Sequence, residues 1–140
     1  MTTFVRWVYD DGGRAAAGFN GRSSGDCACR AIAIATGKPY REVYDGLNAL
    51  CALYGVSRRA GRAYADTGIP DRVIHLYLGG LHWRFVATHK ARLHHWDLPA
   101  GRLVVRVSKH LVALIDNVVH DHGDRWCGKR PVHGYYVQAE

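Results

Sequence analysis

Three residues of this chain have the types and order to do chemistry together: a thiol, Cys27, an imidazole, His110, and a carboxylate, Asp121. Cys27 stands near the start of Gly25-Asp-Cys-Ala-Cys-Arg-Ala-Ile-Ala-Ile-Ala-Thr-Gly37, which reads as one buried helix. Ser24 or Asp26 is suited to cap its start, and Gly37 before Lys38-Pro39 is a stop signal. Between them the residues are small or apolar almost all round, broken only by Arg30, as in a helix packed on several sides. A thiol in the first turn meets unpaired N–H groups and the positive end of the dipole, which make it more acidic. That is what a nucleophilic cysteine needs; a small hydrophobe filling a core is the other use of such a thiol. Cys27 shares a helix face with Arg30 and Ala31, whereas Cys29 faces the side of Ile32, Ala33 and Thr36. An arginine nearby favours the thiolate and an apolar surround disfavours it, so Cys27 is the stronger candidate.

The imidazole and the carboxylate belong to a hairpin. Asp116-Asn117 tolerates the positive φ angles of a two-residue turn between Leu111–Ile115 and Val118–His122. Such a turn pairs Ile115 with Val118, Val112 with Asp121 and His110 with Gly123. Opposed residues share a face, so His110, Val112, Leu114, Val119 and Asp121 line one side and His120 and His122 the other. His110 and Asp121 are then diagonal neighbours, roughly 7–8 Å apart at the backbone, a gap their side chains can close. A carboxylate there fixes the tautomer of the imidazole and stabilises its charged form. A simple surface His–Asp contact has the same sequence signature. A cysteine activated by a base that a third group orients is the general pattern of nucleophilic catalysis.

The remaining elements must position these groups. Residues 3–9 are β-branched and aromatic, an edge or packing strand ended by Asp10-Asp11-Gly12-Gly13, and a small-residue loop then leads to the Cys27 helix. A second helix starts near Pro39 and carries Tyr40, Val43, Tyr44, Leu47, Leu50, Cys51 and Tyr54 on one apolar face. An arginine-rich loop, Ser57–Gly68, follows, then a helix from Pro70 to about Leu78 and a strand over Leu81–Thr88. Leu103–Val107, the hairpin and Val132–Gln138 complete a run of strands. Helices first and strands after argue for an α+β layer architecture.

Length and composition set the bounds. A chain of 140 residues with 48% apolar and 22% charged residues is read as one globular domain, 1–140, with a real core. With no bilayer-length apolar run and no secretory signal pattern at the start, it is read as cytoplasmic. The cysteines at 27, 29, 51 and 127 lack the density of a disulfide scaffold and read as reduced thiols. His89, His94 and His95 cluster around Trp96 without the paired spacing of a structural zinc site. The net charge of +7, mostly arginine, suits a polyanionic partner, nucleic acid or an acidic protein, as well as an ordinary basic surface.

With these residues in view, the chain resembles the papain-like cysteine peptidase superfamily. The order Cys27, His110, Asp121 matches, as does a nucleophile at the start of a central helix. Gly25–Tyr44, Lys109–Asp121 and the closing Arg130-Pro-Val-His-Gly-Tyr-Tyr136 are similar to small, uncharacterised papain-like proteins of bacteria and their phages. The resemblance covers about half the chain, in pattern more than in a strict motif. It implies N-terminal helices packed on a C-terminal antiparallel sheet. It also implies a cysteine hydrolase cleaving a peptide, isopeptide or other amide bond through an acyl-enzyme, with no cofactor and no metal. If the chain is phage-encoded, its place is the host-cell cytoplasm. Those peptidases supply a glutamine as oxyanion donor a few residues before the cysteine; here that place holds Gly21, with Asn20 beside it. Asn20 and the Cys27 N–H are the substitutes expected. Two rivals stand beside this reading: a non-catalytic papain-like module binding nucleic acid or an acidic protein through its arginines, and zinc held by Cys27, Cys29 and histidines.

Overall fold

The computed structural model describes residues 6–19, 25–58, 61–92 (backbone only for 89–92), 98–123 and 130–139. The elements run β1 (Arg6–Tyr9), α1 (Cys27–Thr36), α2 (Tyr40–Leu53), α3 (Tyr64–Thr67), α4 (Asp71–Gly80), β2 (Trp83–Arg92), β3 (Arg102–Val107), β4 (His110–Ile115), β5 (Val118–Asp121) and β6 (Pro131–Gln138). The strands form one six-stranded sheet in the order β1-β5-β4-β3-β6-β2. The expected layering of helices on a sheet is present, but the sheet is mixed rather than antiparallel. β1 comes before the helices and pairs parallel to β5, from Arg6↔Val118 to Tyr9↔Asp121. Parallel neighbours need a long crossover, and here nearly the whole chain lies between the two strands. No helix among the described residues is long and apolar enough to cross a membrane.

α1 lies across β4 because its residues let it approach closely. Ala28, Ala31, Ala33 and Ala35 are all buried, and Ile32 fills the space beside them with no exposed surface. Truncating a fully buried isoleucine such as Ile32 costs about 2–5 kcal/mol. Gly37 ends the helix in the left-handed region at φ 75°, its N–H bonded to the Ala33 carbonyl. Val43 and Leu47 of α2 and Val73, Ile74 and Leu78 of α4 join α1 over Val104, Leu111, Ala113 and Tyr136. Leu103, Val105, Val107, Val112, Leu114, Val119 and Val132 make a second core on the opposite face. The central strand β3 is apolar on both faces, as a strand covered from both sides must be.

The β4–β5 turn forms as expected. Asp116 and Asn117 sit at φ 48° and 65°, and Ile115 pairs with Val118, Leu114 with Val119 and Ala113 with His120. The arginine-rich segment is not all loop, since it contains α3. That single turn is held from α2, where Asn48 accepts the Ala65 N–H at 2.8 Å and Tyr44 donates to Asp66 at 2.9 Å. β2 runs further than its apolar pattern, to Arg92, through an irregularity between Ala87 and Ala91.

Candidate active site

The head of α1 is placed by close packing and by buried charge. Gly25 passes so near α3 that a Cβ there would stand 2.5 Å from the Asp66 carbonyl oxygen and 2.9 Å from the Thr67 Cα. Asp26 follows as the N-cap residue, but its side chain makes no capping bond, contrary to one reading of the sequence. Its oxygens are engaged elsewhere, by the Arg30 guanidinium, by the Tyr40 hydroxyl at 2.7 Å and by Arg14 Nε at 3.2 Å. The other expected cap, Ser24, lies outside the described residues. A helix leaves its first N–H groups without intrahelical acceptors, and the Asp26 carboxylate does not take them. At the mouth of such a helix an anion is favoured.

Arg30 is the one charged residue on α1, and it is buried. One arm of its guanidinium holds Asp26 and the other reaches Asp121 Oδ1 at 3.6 Å. It therefore ties the helix that carries Cys27 to the strand that carries the carboxylate. The β1–α1 loop closes over it: Gly12, at φ 72°, lies so close that a Cβ would come within 3.1 Å of the Arg30 carbonyl oxygen. A buried guanidinium between two carboxylates is tolerated because each charge is paired.

The structure brings Cys27, His110 and Asp121 together. His110 Nε2 lies 2.8 Å from Asp121 Oδ2, and the His110 ring is the leading group that lowers the Cys27 thiol. With Nε2 facing the carboxylate, Nδ1 is the nitrogen left for the sulfur. Asp121 is buried, and its Oδ1 accepts the His122 N–H at 2.8 Å. β4 and β5 pair as far as Ala113↔His120; two residues further along that edge, the Leu111 N–H helps to lower the Cys27 thiol.

These contacts set the charges. Burial pushes the Cys27 thiol up, but the His110 ring, the Leu111 N–H and the Arg30 charge together bring it below its ordinary 9.0. Burial likewise opposes the His110 cation, yet Asp121 and Cys27 raise the imidazole to about 9. Asp121 is lowered against its own burial, mainly by His110. The three fit a thiolate–imidazolium pair whose cation is held by a carboxylate. The other described thiols differ. Cys29 is fully buried, points to the Tyr40 carbonyl at 3.6 Å and is pushed up to about 12 by burial; Cys51 is raised by the same cause.

Asn20 and Gly21, Cys127, and His94 to Trp96 lie outside the described residues, as does the His89 side chain. Among the described residues no group of histidine, cysteine and acidic side chains could hold a metal ion. His120 and His122 stay out of the triad; His120 Nδ1 lies 3.4 Å from Asp10 Oδ2, and His122 Nδ1 lies 3.5 Å from Asp121 Oδ1. What sequence reasoning missed is the Asp26–Arg30–Asp121 tie and the Leu111 N–H. The spacing of Asp26 and Arg30, four apart on an otherwise apolar helix, was the available signal for the first. Compared with known proteins, the chain matches no family model, no curated protein and no solved structure.

Proposed function

We propose that the protein is a papain-like thiol hydrolase that cleaves a peptide, isopeptide or other amide bond through an acyl-enzyme. The observation that carries this reading is the pairing of a thiol lowered below 9.0 with an imidazole raised to about 9 and held by a carboxylate at 2.8 Å. The Cys27 thiolate adds to the substrate carbonyl, and the first-turn N–H groups of α1, with Asn20 as the side-chain donor, take the oxyanion. One such donor is worth about 3–4 kcal/mol of barrier. The intermediate collapses as the imidazolium gives its proton to the departing amine, leaving a thioester on Cys27. Neutral His110 then takes a proton from water, hydroxide adds to the thioester, and the thiolate and carboxylic acid separate. Arg30 and Asp121 hold the ring in place throughout. The thiols suit a reducing compartment, and the cytoplasm is the place proposed.

The test is thiol labelling with iodoacetamide in mildly acidic buffer, mapped by mass spectrometry. Cys27 reacts well before Cys29, Cys51 and Cys127. Slow and equal labelling of all four refutes the reading. The net charge of +7 favours one alternative, a non-catalytic papain-like module that binds nucleic acid or an acidic protein. That alternative is recognised by binding that falls steeply with salt and is unchanged in Cys27→Ala.

A further inference from the structure

On the helix side of the sheet lies a cavity of about 370 Å³ between α4 and strands β2, β3, β4 and β6. Leu111 connects the cavity with the thiol: it lines the cavity, and its N–H is one of the groups that lower Cys27. One wall is aromatic, with Phe85 against Tyr136 at 4.9 Å between ring centres and His75 edge-on to both. The other wall carries charge. Arg106 is already matched by Asp71, which also lines the cavity. Lys109 has no carboxylate partner among the described residues.

The backbone holds Lys109 there under strain. It is the second residue of the two-residue β3–β4 turn and sits at φ 59°, a region that lysine rarely adopts. β6 secures the turn, with the Ser108 N–H on the Pro131 carbonyl at 3.2 Å and the Ser108 hydroxyl on His133 Nε2 at 3.0 Å. Strain kept by such supports, one residue before the candidate base, points to a use for that side chain.

We infer that this cavity receives the carboxylate side chain of an acidic residue flanking the bond to be cleaved, with Lys109 as its counter-charge; this rests on the thiol-hydrolase reading. The apolar wall takes the methylene stem. A single unmatched cation answers a single negative charge, whereas a phosphate dianion would also face Asp71. The class of substrate is therefore a glutamate-like peptide.

The experiment compares alkylation rates of Cys27 by matched probes. Iodoacetyl-glutamate amide is set against iodoacetyl-glutamine amide, and acetyl-glutamyl against acetyl-glutaminyl chloromethyl ketone, so that both sides of the bond are sampled. In at least one pair the acidic probe reacts about fivefold faster at low salt, and the preference fades towards parity in about 0.5 M salt. Lys109→Asn tolerates the positive φ and abolishes the preference while leaving the iodoacetamide rate unchanged. Lys38→Gln, which removes the same charge from the far end of α1, keeps it. Parity in both pairs with rapid iodoacetamide labelling overturns the acidic subsite and leaves the thiol reading intact. Equal loss in Lys38→Gln and Lys109→Asn overturns the subsite in favour of a general field. Slow labelling by iodoacetamide itself overturns both.

Discussion

Replacing Asp121 by asparagine removes one negative charge at a buried position and leaves the shape almost unchanged. The two carboxylate oxygens have separate duties: Oδ2 faces His110 Nε2, and Oδ1 faces the His122 N–H and the Arg30 guanidinium. An amide supplies one oxygen, so whichever way it turns its NH2 meets a donor. That mismatch costs about 1–3 kcal/mol of stability. The larger effect falls on the imidazole. Raising His110 from 6.5 to about 9 corresponds to roughly 3 kcal/mol in favour of the cation, and Asp121 is the foremost group that raises it. Losing a hydrogen bond to a charged group removes at least about 1.5 kcal/mol of this, which lowers the thiolate–imidazolium population roughly tenfold below neutrality. The assay is the pH profile of Cys27 alkylation by iodoacetamide. In the wild type the reaction is already fast below neutral pH. In Asp121→Asn it slows about tenfold there and converges with the wild type in alkaline buffer, where any exposed thiol ionises. A folded variant with an unaltered profile would refute the role given to the carboxylate.

Cys27→Ala tests the ion pair through stability. His110 contributes fully below 6.5 and loses that share as pH rises through about 9, whereas the lowered Cys27 contributes fully above 9.0 and loses its share as pH falls through its depressed value. As pH rises towards 9.0 the growing Cys27 share offsets the falling His110 share in the wild type, and only the falling one survives in the variant. Urea titrations therefore show the margin of wild type over Cys27→Ala widening as pH rises to 9.0; a constant margin counts against the pair. Arg30→Leu leaves Asp26 and Asp121 buried without their shared cation and costs about 3–5 kcal/mol in the same titrations, while a cost under about 1 kcal/mol contradicts the tie. Gly134→Ala drives a methyl group into the Phe85 ring and to 2.7 Å from the Val86 carbonyl oxygen; it destabilises by about 1–3 kcal/mol, and a neutral midpoint shift shows that β2 yields freely.

The parts of the molecule legible in its sequence are those that local rules decide. α1 is bracketed by Asp26 and Gly37, and its apolar surface announces burial. Asp116-Asn117 dictates a turn, the turn dictates the register, and the register puts His110 within reach of Asp121. The parts that were not legible depend on partners distant in the chain. No local signal pairs Arg6–Tyr9 with residues more than a hundred positions later. α3 has little propensity of its own and exists because Asn48 and Tyr44 hold it. Arg30 in an apolar helix reads the same whether its head escapes to water or is caught inside, and only the position of Asp121 decides between them.

The tie from Arg30 to Asp121 also has a consequence for synthesis. On the ribosome Cys27 and Arg30 are made together, but His110 and Leu111, which do most to acidify the thiol, emerge more than eighty positions later. Until the β4–β5 hairpin docks, the sulfur is an ordinary thiol, slow to attack the chaperones and nascent chains around it. Reactivity is thus withheld until that hairpin has been made and has folded against α1.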